Sequence, residues 1–161
     1  MEIEVKIGAL LLDPNSNSPI VVLKGVSTEK VLPIWVGPFE ANAIASEIEK
    51  HESSRPMTHD LIRNMILTFG YTVDRITITE LVDNTFYSVI NLITEDGKKI
   101  ALDSRPSDAI AIALRTDCPI FVNQDVFDLS NSPIEPPAVQ EVEAIEDDTI
   151  QDSDEWADVI E

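Results

Sequence analysis

Two stretches decide how this chain is read: GPFEANAIA from Gly37 to Ala45, and RPSDAIAIA from Arg105 to Ala113. Placing Pro38 on Pro106, an offset of 68 (106 − 38), matches Pro, Ala, Ala, Ile and Ala and sets Glu40 against Asp108. Proline is favoured at the first position of a helix, where its missing N–H would have no partner anyway. An acid two residues later can accept from free backbone N–H groups and opposes the helix dipole. Both stretches therefore read as the starts of apolar helices, with Glu40 and Asp108 as capping acids.

The surroundings of the two stretches agree. Ile3, Val5, Ile7, Ala9 and Leu11 alternate with other residues at period two, the pattern of a strand with one buried face. The turn formers Asp13 to Pro19 return the chain through Ile20–Leu23, and Val31–Val36 makes a third strand whose Pro33 suits an edge or a bulge. A helix over Pro38 to Lys50 follows, then a second with Thr58 as N-cap, an apolar stripe from Leu61 to Phe69 and Gly70 as its left-handed terminator. Val73–Leu81 and Phe86–Ile93 form a hairpin about Asp83-Asn84, Asp96-Gly97 turns into Lys99–Asp103, and the Pro106 helix leads to a short strand at Pro119–Val122. The expected fold class is α+β: duplicated strand-strand-strand-helix halves, an inserted helix between them, and a mixed or antiparallel sheet packed against helices.

The differences between the copies are more informative than the matches. Gly37, an acceptable N-cap, corresponds to Arg105, a poor one, and the apolar Trp35 corresponds to Asp103. Asp103 and Arg105 are two apart on an extended segment, so their side chains are expected to point together toward the helix start and Asp108. Such a trio can bind a phosphate through Arg105, hold a divalent cation through Asp103 and Asp108, or close as a structural salt bridge. His59-Asp60, at the start of the middle helix, offers a general base or ligand, or else a first-turn acid beside an exposed histidine. His51 reads as a cation at a helix end, and Glu47 and Glu49 as a solvated face.

Composition narrows the function classes. The 161 residues carry a formal charge of −19, but eleven acids and no base fall in 135–161, so the first 134 residues hold 19 acids against 11 bases, or −8. Lys98-Lys99 is the only adjacent basic pair, which argues against a high-affinity, sequence-independent grip on DNA. No window is apolar enough for a membrane span, and Met1-Glu2-Ile3-Glu4 lacks a basic leader start, so a cytoplasmic protein is expected. The single Cys118 has no partner for a disulfide and reads as a small buried residue. No zinc spacing, Gly-rich phosphate loop, GxSxG or HExxH occurs.

LPIWVGPFEANAIASEIE, RPMTHDLIRNMI, FYSVINL and IALDSRPSDAIAIALRTDCPIFV, in this order, resemble the bifunctional nuclease domain family over Met1 to Asp128. The resemblance implies an α+β fold, a homo-oligomer, and degradation of DNA and RNA of the kind reported for some plant members. Its signature polar residues fall at His59, Asp60, Asp103, Arg105 and Asp108, the same five isolated above. The expected function is a nuclease acting on DNA, RNA or both. In a metal-assisted form, Asp103 and Asp108, with Asp60, hold Mg or Mn, Arg105 binds the scissile phosphate and His59 moves protons. The alternative is a non-enzymatic oligomeric or regulatory module in which these residues form an ion-pair network. Many relatives carry a C-terminal UVR motif, whereas this chain has an acidic segment over 129–161 that reads as disordered. Its Trp156–Ile160 end suits docking on a protein partner.

Overall fold

The computed structural model describes residues 1–130. The expectations for 131–161, disorder and a docking segment, lie outside the described residues.

Seven strands form one sheet: β1 (Glu2–Leu12), β2 (Pro19–Gly25), β3 (Val31–Trp35), β4 (Thr72–Val82), β5 (Thr85–Ile93), β6 (Lys99–Ser104) and β7 (Ile120–Asn123). Four helices complete the fold: α1 (Pro38–Ile48), α2 (Thr58–Thr68), α3 (Pro106–Thr116) and α4 (Gln124–Ser130). Across the sheet the order is β3-β2-β1-β7-β4-β5-β6. The sheet is mixed, because β7 runs parallel to β4 and antiparallel to β1 while every other pair is antiparallel. Read from either edge, the order is third, second, first strand of a meander, with β7 seated between the two sets.

The strand-strand-strand-helix order thus occurs twice, with α2 between. α1 and α3 each span 11 residues and start 68 apart (106 − 38), and β3 and β6 also start 68 apart (99 − 31). The N-cap backbones agree, Gly37 at φ −72°, ψ 158° and Arg105 at φ −71°, ψ 146°. Pro33 lies on β3, an edge strand, where its missing donor is tolerated. Asp83 and Asn84 both have positive φ, the backbone a two-residue hairpin turn demands. Gly70, at φ +77°, ends α2 as expected. α2, however, takes Met57 as its N-cap, and Thr58 is its first helical residue.

The core is one cluster beneath the helices. A row of paired residues, Val5, Ile120, Ile76 and Ile90, crosses the sheet on the face that enters it and ends on the exposed Leu102 of the edge strand β6. α3 packs on this face against β4 and β5 and is flanked by α1 and α2. Its five consecutive residues Ala109 to Ala113 are all buried, because the alanines let neighbouring backbones approach while Ile110 and Ile112 fill the space between them. Each such isoleucine contributes roughly 1.5–3 kcal/mol of burial. α4, which the sequence pattern did not suggest, buries Val126 and Phe127 against β3, β4 and β7. Among the described residues no helix is long and apolar enough to cross a membrane.

Candidate functional site

The first turn of α3 gathers charged side chains from three segments. Arg105 donates Nε–H to Asp108 Oδ2 at 2.8 Å and Nη2–H to Glu40 Oε1 at 2.8 Å. The other oxygen of Asp108 lies 2.9 Å from His59 Nε2. The result is a hydrogen-bonded chain, His59–Asp108–Arg105–Glu40, drawn from α2, α3 and α1. Its members differ in exposure: His59 is 9% exposed and the Glu40 side chain 17%, whereas the Arg105 side chain between the two carboxylates is 67% exposed.

The two acids matched by the repeat therefore share a role, but not the expected one. Neither helix has a side-chain cap hydrogen bond. Glu40 and Asp108 instead hold opposite sides of one arginine, and that arginine is the N-cap residue of the second copy. In the first copy the equivalent residue is Gly37, and a Cβ there would collide with the Glu40 carboxylate. Glycine at 37 leaves room for Glu40 to reach across to Arg105. Glu40 was not among the expected site residues; its match to Asp108 was the signal for it.

His59 and Asp60 are neighbours that diverge. While His59 meets Asp108 at the start of α3, Asp60 accepts from Arg115 Nε at 2.7 Å in the last turn of α3. Asp60 also accepts from the Met57 N–H at 2.8 Å, capping its own helix. Arg115, only 6% exposed, spends two further N–H groups on the carbonyls of Ala43 and Ala111. The pair His59-Asp60 thus clamps α2 along the length of α3. Arg115 escaped sequence reading because a basic residue in a last helical turn usually marks only the dipole.

Asp103 does not join the cluster. It pairs with Val89 in a row, Glu4, Phe121, Thr77, Val89 and Asp103, that lies on the sheet face opposite the core row. It is exposed, and its side chain has no hydrogen bond or ion pair among the described residues. The expectation of convergence failed because the chain leaves the sheet at Ser104 to start the helix, so strand alternation no longer relates 103 to 105. Trp35, its counterpart, is also a surface residue, 45% exposed and bonded to Asp13 at 3.3 Å. A core position was not exchanged for a charge.

This bears on metal binding. Of the two carboxylates expected to hold Mg or Mn, Asp103 faces away and Asp108 has both oxygens engaged. No three His, Cys, Asp or Glu side chains gather as a cation site among the described residues. The expected ligand set does not fit the ion.

Electrostatics favours the ionised network. Burial pushes the Asp108 carboxyl up, but the Arg105 and His59 bonds outweigh it and hold it below the usual carboxylate range. Asp60 behaves likewise, with Arg115 and the Met57 N–H overcoming its burial. The bonds from Asp108 and Glu40 raise the pKa of Arg105, so it stays a cation. Cys118 is half-buried, and burial pushes its thiol up, away from reactivity.

Chemically, an exposed arginine with N–H groups to spare suits a phosphate, and a histidine oriented by a carboxylate suits proton transfer. The chain is 39% identical over 124 residues to an uncharacterized protein of Mycobacterium tuberculosis, covering 77% of this chain and 73% of that one. It is 31% identical over 118 residues to Bifunctional nuclease 1 of Oryza sativa and 29% identical over 110 residues to Bifunctional nuclease 2 of Arabidopsis thaliana. Those alignments cover 72% and 67% of this chain but only 36% and 33% of the plant proteins. The sequence profile of the bifunctional nuclease domain matches residues 21–135. The chain belongs to the bifunctional nuclease domain family.

Proposed function

We propose that this chain is a nuclease that hydrolyses phosphodiester bonds in DNA, RNA or both, at the start of α3. The observation that supports this most is the His59–Asp108–Arg105–Glu40 chain, which joins three of the family signature residues from separate segments and holds an exposed cation, Arg105, between two carboxylates. Arg105, fixed by two carboxylates, binds the phosphate oxygens and stabilises the charge that builds on them. His59, with Nε2 held by Asp108, is left Nδ1 for proton transfer. Asp108 sets the direction of both.

The test is cleavage of labelled single-stranded DNA and RNA by purified protein in EDTA and with added Mg or Mn, the latter addressing the metal-assisted form directly. Cleavage is expected to fall about 100-fold or more in His59→Ala. Absence of cleavage under every condition, or full cleavage by Asp108→Asn, rejects the reading.

One observation favours a second reading, a non-enzymatic module that acts as a homo-oligomer or binds a protein through its acidic segment. Glu40, Asp60 and Asp108 are all paired within the chain, as a purely structural network requires. Under that reading Arg105→Ala alters the oligomer seen by analytical ultracentrifugation and no cleavage is found.

A further inference from the structure

Away from the His59–Asp108 pair, a cavity of about 410 Å³ opens between the end of α1, the segment 49–57, the start of α2 and the end of α3. Its size is in the range of small-ligand sites. Five basic side chains line it: Lys50, His51, Arg55, Arg63 and Arg115. Four of them are among the eleven Lys and Arg of the chain, a concentration at odds with a protein of formal charge −19.

The acids in the same wall do not cancel these charges. Glu47 is paired with Lys50 at 3.2 Å, and Asp60 with Arg115 at 2.7 Å. Arg55 and Arg63 then face Glu52 alone, so four bases against three acids leave +1 with histidine neutral. Two guanidinium groups also have unused donors. Among the described residues Arg63 Nε is buried without a hydrogen-bond partner, and the only bond of that side chain is from Nη1 to Asn64 at 3.2 Å. Arg115 spends three of its five N–H groups on Asp60, Ala43 and Ala111, leaving those on Nη2. A buried donor without an acceptor is costly, and the spare Nη donors of Arg63 and Arg115 are the ones that suit an anion in the cavity.

We infer that this cavity is a phosphate-binding subsite that holds the backbone of a nucleic-acid strand beside the site at Arg105. The inference rests on the nuclease reading for its ligand. Guanidinium forks match phosphate oxygens in geometry and charge, and the cavity has no apolar lining set that would suit a free base or a lipid. Its position suits the role. α3 carries Asp108 at one end and Arg115 at the other, seven residues on (115 − 108) and so roughly 10 Å away at about 1.5 Å per residue. At about 3.4 Å per stacked nucleotide that is around three nucleotides along one strand. A strand anchored in the cavity lays a neighbouring phosphodiester across the α2 start, toward His59 and Arg105.

The experiment is a fluorescence-anisotropy titration of a short single-stranded DNA, read before cleavage, across a salt series. Arg63→Gln and Arg55→Gln are each expected to raise Kd about tenfold and to lower the slope of log Kd against log salt by about one. Lys98→Gln, outside the cavity, serves as control and is expected to change Kd less than about twofold. Millimolar inorganic phosphate should compete with the strand on the wild-type protein and lose that effect in Arg63→Gln. Should Arg63→Gln prove unfolded by its melting curve, the exposed Arg55 decides. Variants that match the control, a strand that does not bind, or phosphate that fails to compete overturns the subsite even in a protein that cleaves. Loss of binding in the two variants of a protein that never cleaves sustains the subsite and rejects the nuclease reading.

Discussion

His59 Nε2 lies 2.9 Å from Asp108 Oδ1, although 49 residues separate them in the chain. This contact joins the inserted helix to the central one and orients the imidazole from a carboxylate that Arg105 holds from its other side.

The pH dependence of stability follows from that carboxylate. Asp108 and Asp60 are both held below their ordinary pKa in the folded protein, so they favour folding fully above about pH 4, the unfolded value. Their contribution is lost as pH falls through the folded values. Melting temperatures are expected to be level from about pH 7 to 5 and to drop below about pH 4. Asp108→Asn should melt lower than wild type at neutral pH, with the difference closing in acid. Parallel melting curves at all pH values would show that the carboxylate is not specifically stabilised.

The two arginines of α3 should differ sharply. Arg115 is 6% exposed with three hydrogen bonds, so Arg115→Ala strands Asp60 and two carbonyls and is expected to cost about 3–5 kcal/mol. Arg105 is 67% exposed, and Arg105→Ala should cost about 1 kcal/mol or less. Denaturant titration of the two variants gives the ranking directly.

Gly37→Ala is expected to mimic Glu40→Gln. The backbone there, at φ −72°, accepts alanine without strain, so the substitution acts by pushing the Glu40 carboxylate off Arg105. Both variants should stay within about 1 kcal/mol of wild type while raising the KM for a nucleic-acid substrate together. A Gly37→Ala protein with wild-type KM, beside a Glu40→Gln protein without it, would separate the two.

Asp103→Asn should leave cleavage and melting temperature unchanged, because the side chain is exposed on the far face of the sheet. A tenfold loss of cleavage would return this residue to the site.

The fold was largely legible because its signals are local. Alternation in β1, turn residues at Asp83-Asn84, Gly70 and the paired prolines each report on a few neighbouring residues, and each is found where expected. α4 was missed, since seven residues give too little periodicity to read. The site was legible in its residue types and not in its partnerships. His59, Asp60, Arg105 and Asp108 all enter side-chain hydrogen bonds on α3, but Glu40 and Arg115 are 65 and 55 residues from their partners, and no local pattern encodes that. Asp103 shows the opposite error: spacing along a strand was extended past the point where the strand ends.

The seat of β7 has a consequence for how the molecule is made. Glu2 pairs with Asn123 and Ile76 with Ile120, so the strand that joins the two meanders is the last of the seven to be synthesised. Until it emerges, β1 and β4 each present an unpaired edge, the surface on which chains stick to one another. Pairing between ends of the chain is also entropically slow. Among the described residues, the four of β7, Ile120 to Asn123, are thus the only strand that joins the two meanders into one sheet.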